Sequence, residues 1–258
     1  MPTPFYHLRI AEQLLEQPGL DNQTRQMMEQ EWPAFLFGCT APDVQTVSGQ
    51  SRPATHFFDL PVTSASLPAW EAMLAAHPHL ARSDHLPVEQ SVFLAGYLCH
   101  LQADWLWIKD IYQPYFGAPF PGRPNRERFY LHNVLRAYLD MLILSDLHPQ
   151  IADQLGRAVP AGWLPFVQDI FLEQWRDYLA GQLCVGCDVL TVEVFASRQG
   201  IPAEEYYRML GSEEQLDRSL FTYLPRQSVQ AYQELLLKEN LLLVQGYLNE
   251  NLYVGGRS

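Results

Sequence analysis

No stretch of this sequence stays apolar for the roughly 18 consecutive residues that a bilayer-crossing helix needs, so the chain reads as one without a membrane span. Its first residues, Met1-Pro-Thr-Pro-Phe-Tyr-His7, have neither the basic start nor the apolar run of a secretory signal. The cytoplasm is therefore the simplest location. Four cysteines are too few for a disulfide framework in a chain of 258 residues. Cys184 and Cys187 form a lone CxxC. It lacks the second pair of a zinc ribbon and the βαβ setting of a redox motif, and reads as two ordinary buried thiols. Positive charge is also scarce. Lys and Arg number 17 against 29 Asp and Glu, a net charge of −12, which argues against a nucleic-acid partner and against docking on anionic lipid. Carboxylates clustered to hold divalent cations would inflate that count, and bound metal would cancel part of it.

Period-two alternation is missing as well, which leaves no basis for a sheet. Helical periodicity recurs instead, and the expected fold is all-α: a single-domain bundle of eight to ten helices over 1–258, with the chemistry-bearing motifs within 1–140. Helices are expected over Phe5–Glu16, Asp21–Glu31, Leu67–Ala76, Pro87–Tyr115 and Arg126–Asp146. Further helices follow over 149–158, 163–182, 187–198, 202–210 and 226–250. Between Phe37 and Pro68 the chain is rich in Gly, Pro, Ser and Thr and has little periodicity. A long irregular stretch inside a compact fold is often functional.

The first chemical motif is His100-Leu-Gln-Ala-Asp104. Residues four apart share a helix face, so the imidazole and carboxylate can reach one ion, or can simply bond to each other. Asp43 ends the strip Gly38-Cys-Thr-Ala-Pro-Asp43, either as a ligand or as a turn cap. His56, in Thr55-His56-Phe-Phe, and His7, one turn into the first helix, complete the candidates.

In this order, the His near the N-terminus, Gly-x-x-Ala-Pro-Asp, Thr-His and Gly-Tyr-x-x-His-x-x-x-Asp together resemble the zinc-dependent phospholipase C family, which is similar in fold to the S1/P1-type nucleases. The resemblance covers about residues 1–116. It implies an all-α fold with up to three zinc ions in a cleft. Asp43, His56, His100 and Asp104 would hold one ion, and Asp104 would bridge to a second that His7 also binds. In secreted members a free amino terminus completes the second site; here the main chain of Met1–Pro4 or solvent would take that place. The family's third ion uses a His six residues past the HxxxD Asp, then a HxxxE pair. This chain has Asp110 at the first place and His132 at the second, with Arg136 where Glu would stand. Asp110, His132 and Asp140 can rebuild an oxygen-rich site for manganese or iron. Alternatively, the site is lost and Arg136 fills it with its own charge.

Adjacent divalent ions favour phosphoester hydrolysis, because they polarise phosphoryl oxygens and activate water. Asp43 can orient that water or accept its proton, and Arg52 can donate to a phosphate oxygen. Arg123, Arg126 and Arg128 can do the same from a loop. Trp105, Trp107, Tyr112, Tyr115 and Phe116 either wall the cleft or pack the core. The expected activity is hydrolysis of a phosphodiester, a lipid headgroup or a soluble small molecule. The alternative is a metal-binding helical protein of the same fold without hydrolase activity.

Overall fold

A computed structural model describes residues 1–63, 65–117, 124–184, 186–250 and 252. Among them there is no strand. The chain runs through α1 (Pro4–Leu15), α2 (Asn22–Gln30), α3 (Trp32–Gly38), α4 (Gln45–Ser48), α5 (Arg52–His56), α6 (Ala69–Ala76), α7 (Val88–Trp107) and α8 (Gln113–Tyr115). It continues through α9 (Asn125–Ile143), α10 (Ile151–Gly156), α11 (Asp169–Gln182), α12 (Thr191–Gln199), α13 (Ala203–Leu210), α14 (Glu213–Leu216) and α15 (Arg226–Leu248). A 3-10 turn, Ala41–Val44, joins α3 to α4, and a π-helical segment, Ile108–Tyr112, extends α7.

The helices are more numerous and shorter than their periodicity suggests. α2 stops before Pro33, which sits in the first turn of a further helix, α3, where its missing N–H costs nothing. Pro53 does the same in α5, inside the stretch expected to be irregular. Residues 163–168, expected to be helical, precede α11 instead. Cys184 and Cys187 are exposed and joined as a disulfide, which corrects the reading of them as buried thiols.

The long apolar helix α7 is the axis of the fold. Every residue from Ser91 to Trp107 is buried, because α3, α15 and α6 pack around it. A helix that is apolar on all sides gains only from complete enclosure. One cluster of buried side chains gathers Phe35, Leu36, Phe37, Phe93 and Tyr97, while a second gathers Trp107, Leu135, Tyr206 and Tyr232.

The crossing of α3 and α7 is made by backbone. A Cβ placed on Gly38 would stand 2.0 Å from the Phe93 carbonyl oxygen, and one on Gly96 would stand 2.3 Å from the Phe35 carbonyl oxygen. Glycine in a helix costs about 1 kcal/mol relative to alanine. Here no side chain would fit. Gly38→Ala and Gly96→Ala are each expected to lower unfolding stability by at least about 1–3 kcal/mol, through overpacking that two backbones cannot relieve. Urea denaturation of each variant measures this.

Thr3 caps α1, and its hydroxyl donates to the Asp140 carboxylate on α9. The second Asp140 oxygen accepts from Thr191 on α12 at 2.6 Å. This clamp fastens three helices. Burial pushes the Asp140 carboxyl up to about 6, against the smaller opposing pull of the two threonines and Arg136. A carboxyl raised in the folded state favours folding below its unfolded value of about 3.9, and that contribution is lost as pH climbs through 6. Stability is therefore expected to decline between pH 4 and 7 by an amount on the order of 2 kcal/mol from this group. Asp140→Asn should flatten that part of the profile in denaturant titrations at stepped pH.

Candidate metal centre

Four segments deliver the site. α1 brings His7, the 3-10 turn brings Asp43, the end of α5 brings His56, and the middle of α7 brings His100 and Asp104. His56 leaves its helix because Phe57 turns the backbone into the left-handed region at φ 59°. The spacing of His100 and Asp104 stacks both on one face of α7, where the imidazole Nε2 lies 3.6 Å from Asp104 Oδ2.

The five side chains converge. The ligand atoms of His7, His100 and Asp104 all lie within 4.8 Å of one another, as do those of Asp43, His56 and His100. Asp104 divides its two oxygens between the groups. Oδ1 faces His7 Nε2 at 3.5 Å, whereas Oδ2 faces His56 Nε2 at 3.3 Å. Asp43 Oδ1 is 3.5 Å from His56 Nε2. His7 and His100 stack with ring centroids 3.9 Å apart.

Two of the imidazoles are oriented from behind. His100 Nδ1 is bonded to the Cys39 carbonyl at 2.8 Å, just past the Gly38–Gly96 crossing, and so acts as the donor. His56 Nδ1 meets the Thr55 hydroxyl at 3.0 Å, and the Thr55 carbonyl accepts from the Tyr97 hydroxyl at 2.6 Å. Trp175 Nε1 donates to the Thr40 carbonyl at 2.8 Å and steadies the turn that carries Asp43. These contacts leave the Nε2 atoms of His7, His56 and His100, together with Asp104 Oδ1, buried with no protein hydrogen-bond partner. Orphaned polar atoms at this density are costly unless something binds them. Nitrogen and carboxylate donors backed by outer hydrogen bonds fit a divalent cation such as zinc.

Burial opposes charge on Asp104, but Arg52 and His100 reverse this and hold its carboxyl well below the usual range. Asp43 is also held low: burial is outweighed by the neighbouring imidazoles of His56 and His100. Burial, helped by His100, pulls His7 down to about 4. For His100 itself, Asp104 overcomes burial and raises the imidazole. Arg52 pairs with Asp104 and lies 3.8 Å from Asp43, its guanidinium over the Phe58 ring.

The three residues expected at a third ion do not join this assembly. His132 Nε2 accepts from Trp107 Nε1 at 2.9 Å, Asp140 is occupied by Thr3 and Thr191, and Asp110 lies on the π-helical segment beyond α7. Among the described residues no ligand group contains any of them. Arg136 instead turns its guanidinium over the Phe195 ring at 4.3 Å.

A cavity of about 290 Å³ opens beside the centre, and its lining includes Asp43, Arg52 and Arg136 as well as Trp175, Leu179 and Phe195. Trp105, Trp107, Tyr112, Tyr115 and Phe116 do not line this cavity; its aromatic lining includes Trp175 and Phe195. Nothing in the sequence marked these two, since both belong to helices without a motif. Arg126 and Arg128 begin α9 and do not line the cavity; Arg123 lies outside the described residues. No helix among the described residues is long and apolar enough to cross a membrane.

No curated protein and no solved structure matches the chain. Residues 6–107, the segment that carries His7, Asp43, His56, His100 and Asp104, match the family described as zinc dependent phospholipase C.

Proposed function

We propose that this protein is a metal-dependent phosphoesterase that hydrolyses a phosphodiester. The observation that carries this reading is the convergence of three unpartnered imidazole nitrogens and two carboxylates at the edge of a cavity that also presents Arg52. The family match over residues 6–107 supports it. With one free nitrogen, His100 would hold one ion together with Asp43, His56 and Asp104, and His7 with Asp104 would hold a second. Ions bound there would supply Lewis acidity, polarising phosphoryl oxygens and lowering the pKa of water.

The chain's own groups do the rest. Asp104 would supply neutralising charge to both positions, with one oxygen toward His7 and the other toward His56. Asp43 is partly open to the cavity, where its carboxylate orients the attacking water and takes up its proton. Arg52 donates to a phosphoryl oxygen whose negative charge grows during attack. The apolar wall of Trp175, Leu179 and Phe195 limits competing water and receives the ester's substituent.

A second reading is a metal-binding protein of this fold without hydrolase activity. The dispersal of Asp110, His132 and Asp140 favours it, because it removes one ion from the cluster. Elemental analysis and nitrophenol release from bis-nitrophenyl phosphate separate the two. Two ions per chain with turnover that His100→Ala abolishes is the expected result. Metal uptake with equal inertness of wild type and variant across zinc, manganese and iron would sink the enzyme reading. Arg52→Gln is expected to keep its metal and lose about a hundredfold to a thousandfold in kcat, as expected for a lost oxyanion donor.

A further inference from the structure

Arg136 projects from α9 into the cavity, facing the same space as Asp43 and Arg52. Its guanidinium has five donors, and one protein hydrogen bond engages it, from Nη1 to Asn133 at 3.1 Å. Its Nε–H is buried without a partner. No carboxylate among the described residues lies within 4.0 Å of it. A partly buried arginine is ordinarily paired, because the charge loses its hydration and must recover it from an anion. The Phe195 ring, its centroid 4.3 Å from the guanidinium carbon, supplies cation–π attraction but accepts none of its hydrogen bonds.

Its surroundings make the space more cationic still. Arg198, exposed on α12, also borders the cavity and has no protein partner among the described residues. Arg52, Arg136 and Arg198 thus face one carboxylate, Asp43. In a protein of net charge −12 this is a local reversal of sign. The volume of about 290 Å³ is at the lower edge of small-ligand sites, so it takes a headgroup-sized ester and not long chains.

We propose that Arg136 is a substrate-binding residue that grips the phosphate of an anionic phosphoester in this cavity and discriminates against esters with a cationic substituent. The proposal rests on the phosphoesterase reading for its chemistry, but Arg136 can be tested apart from it. A planar fork beside the Phe195 ring offers paired N–H donors to two oxygens of one phosphate. A quaternary ammonium placed in the same space meets three guanidinium groups and is repelled.

Calorimetric titration with inorganic phosphate is the first test, on both metal-depleted and zinc-loaded protein. Arg136→Gln is expected to weaken phosphate binding by about tenfold in both forms, the loss typical of a charge-assisted hydrogen bond. Zinc content and thermal midpoint should match the wild type, and Arg136→Lys should recover part of the affinity. Equal phosphate affinity in wild type and Arg136→Gln, or no phosphate binding by the wild type, overturns the assignment. In the zinc-loaded enzyme, bis-nitrophenyl phosphate should be turned over at higher kcat/KM than nitrophenyl phosphorylcholine, and Arg136→Gln should narrow the gap through KM. A wild-type preference for the choline ester also overturns it. Glycerol phosphate and dihexanoyl phosphatidic acid, used as competitors, tell a soluble source from a lipid one; failure of both to compete counts against the proposal. A wild type that takes up no zinc defeats the phosphoesterase reading, while the metal-depleted titration still decides the role of Arg136.

Discussion

The contact on which the site depends is the crossing of α3 and α7, where Gly38 and Gly96 let two backbones touch. Four residues beyond Gly96 comes His100, and one residue beyond Gly38 comes Cys39, whose carbonyl fixes the His100 ring. Side chains of ordinary size would hold the helix axes about 8–10 Å apart, and the Cys39 carbonyl would fall short of the ring. The same crossing brings the 3-10 turn of Asp43 beside α7. A packing constraint that looks purely structural therefore sets the orientation of one imidazole and the reach of one carboxylate. The large side chains around it, Phe35, Phe37, Phe93 and Tyr97, supply the burial that holds the crossing closed.

Asp104 illustrates how costly this arrangement is for the bare protein. The carboxylate is buried, and it is kept ionised by Arg52 and by the imidazoles around it. Arg52 uses the same oxygen, Oδ2, that faces His56 and His100. The guanidinium thus holds part of the positive charge that the cluster of donors calls for. Yet it leaves three imidazole nitrogens without a partner. One arginine cannot satisfy donors spread over four segments, whereas small ions bound among them can.

Much of this was legible in the sequence because chemistry and helix geometry coincide there. The HxxxD spacing of His100 and Asp104 predicts a shared face, and the two residues do share one. The order of His7, Asp43 and His56 around it could be read as a motif, although no local rule brings residues so far apart together. The short helices α3, α4 and α5 were not legible, since they are too brief to show a period, and α3 and α5 carry Pro33 and Pro53 in their first turns. Trp175 and Phe195 escaped for another reason. Their role comes from which helix packs beside the site, a property of the tertiary arrangement alone.

The fate of the third ligand set follows from the same physics. His132 and Asp140 each satisfy their acceptors with neutral donors, Trp107 in one case and Thr3 and Thr191 in the other. A neutral donor stabilises a lone pair without adding charge, so neither residue attracts a cation strongly. Arg136 on the same helix then supplies permanent positive charge close by. Burial brings its guanidinium down to about 10, still far above neutrality, while Asp43, Asp140 and Asp104 pull the other way. A covalently attached cation differs from a coordinated one in two respects. It cannot be removed by a chelator, and it offers directional hydrogen bonds where an ion offers Lewis acidity. An arginine in that position suits holding an oxyanion in place, and under the proposed function would leave the activation of water to the centre around Asp104.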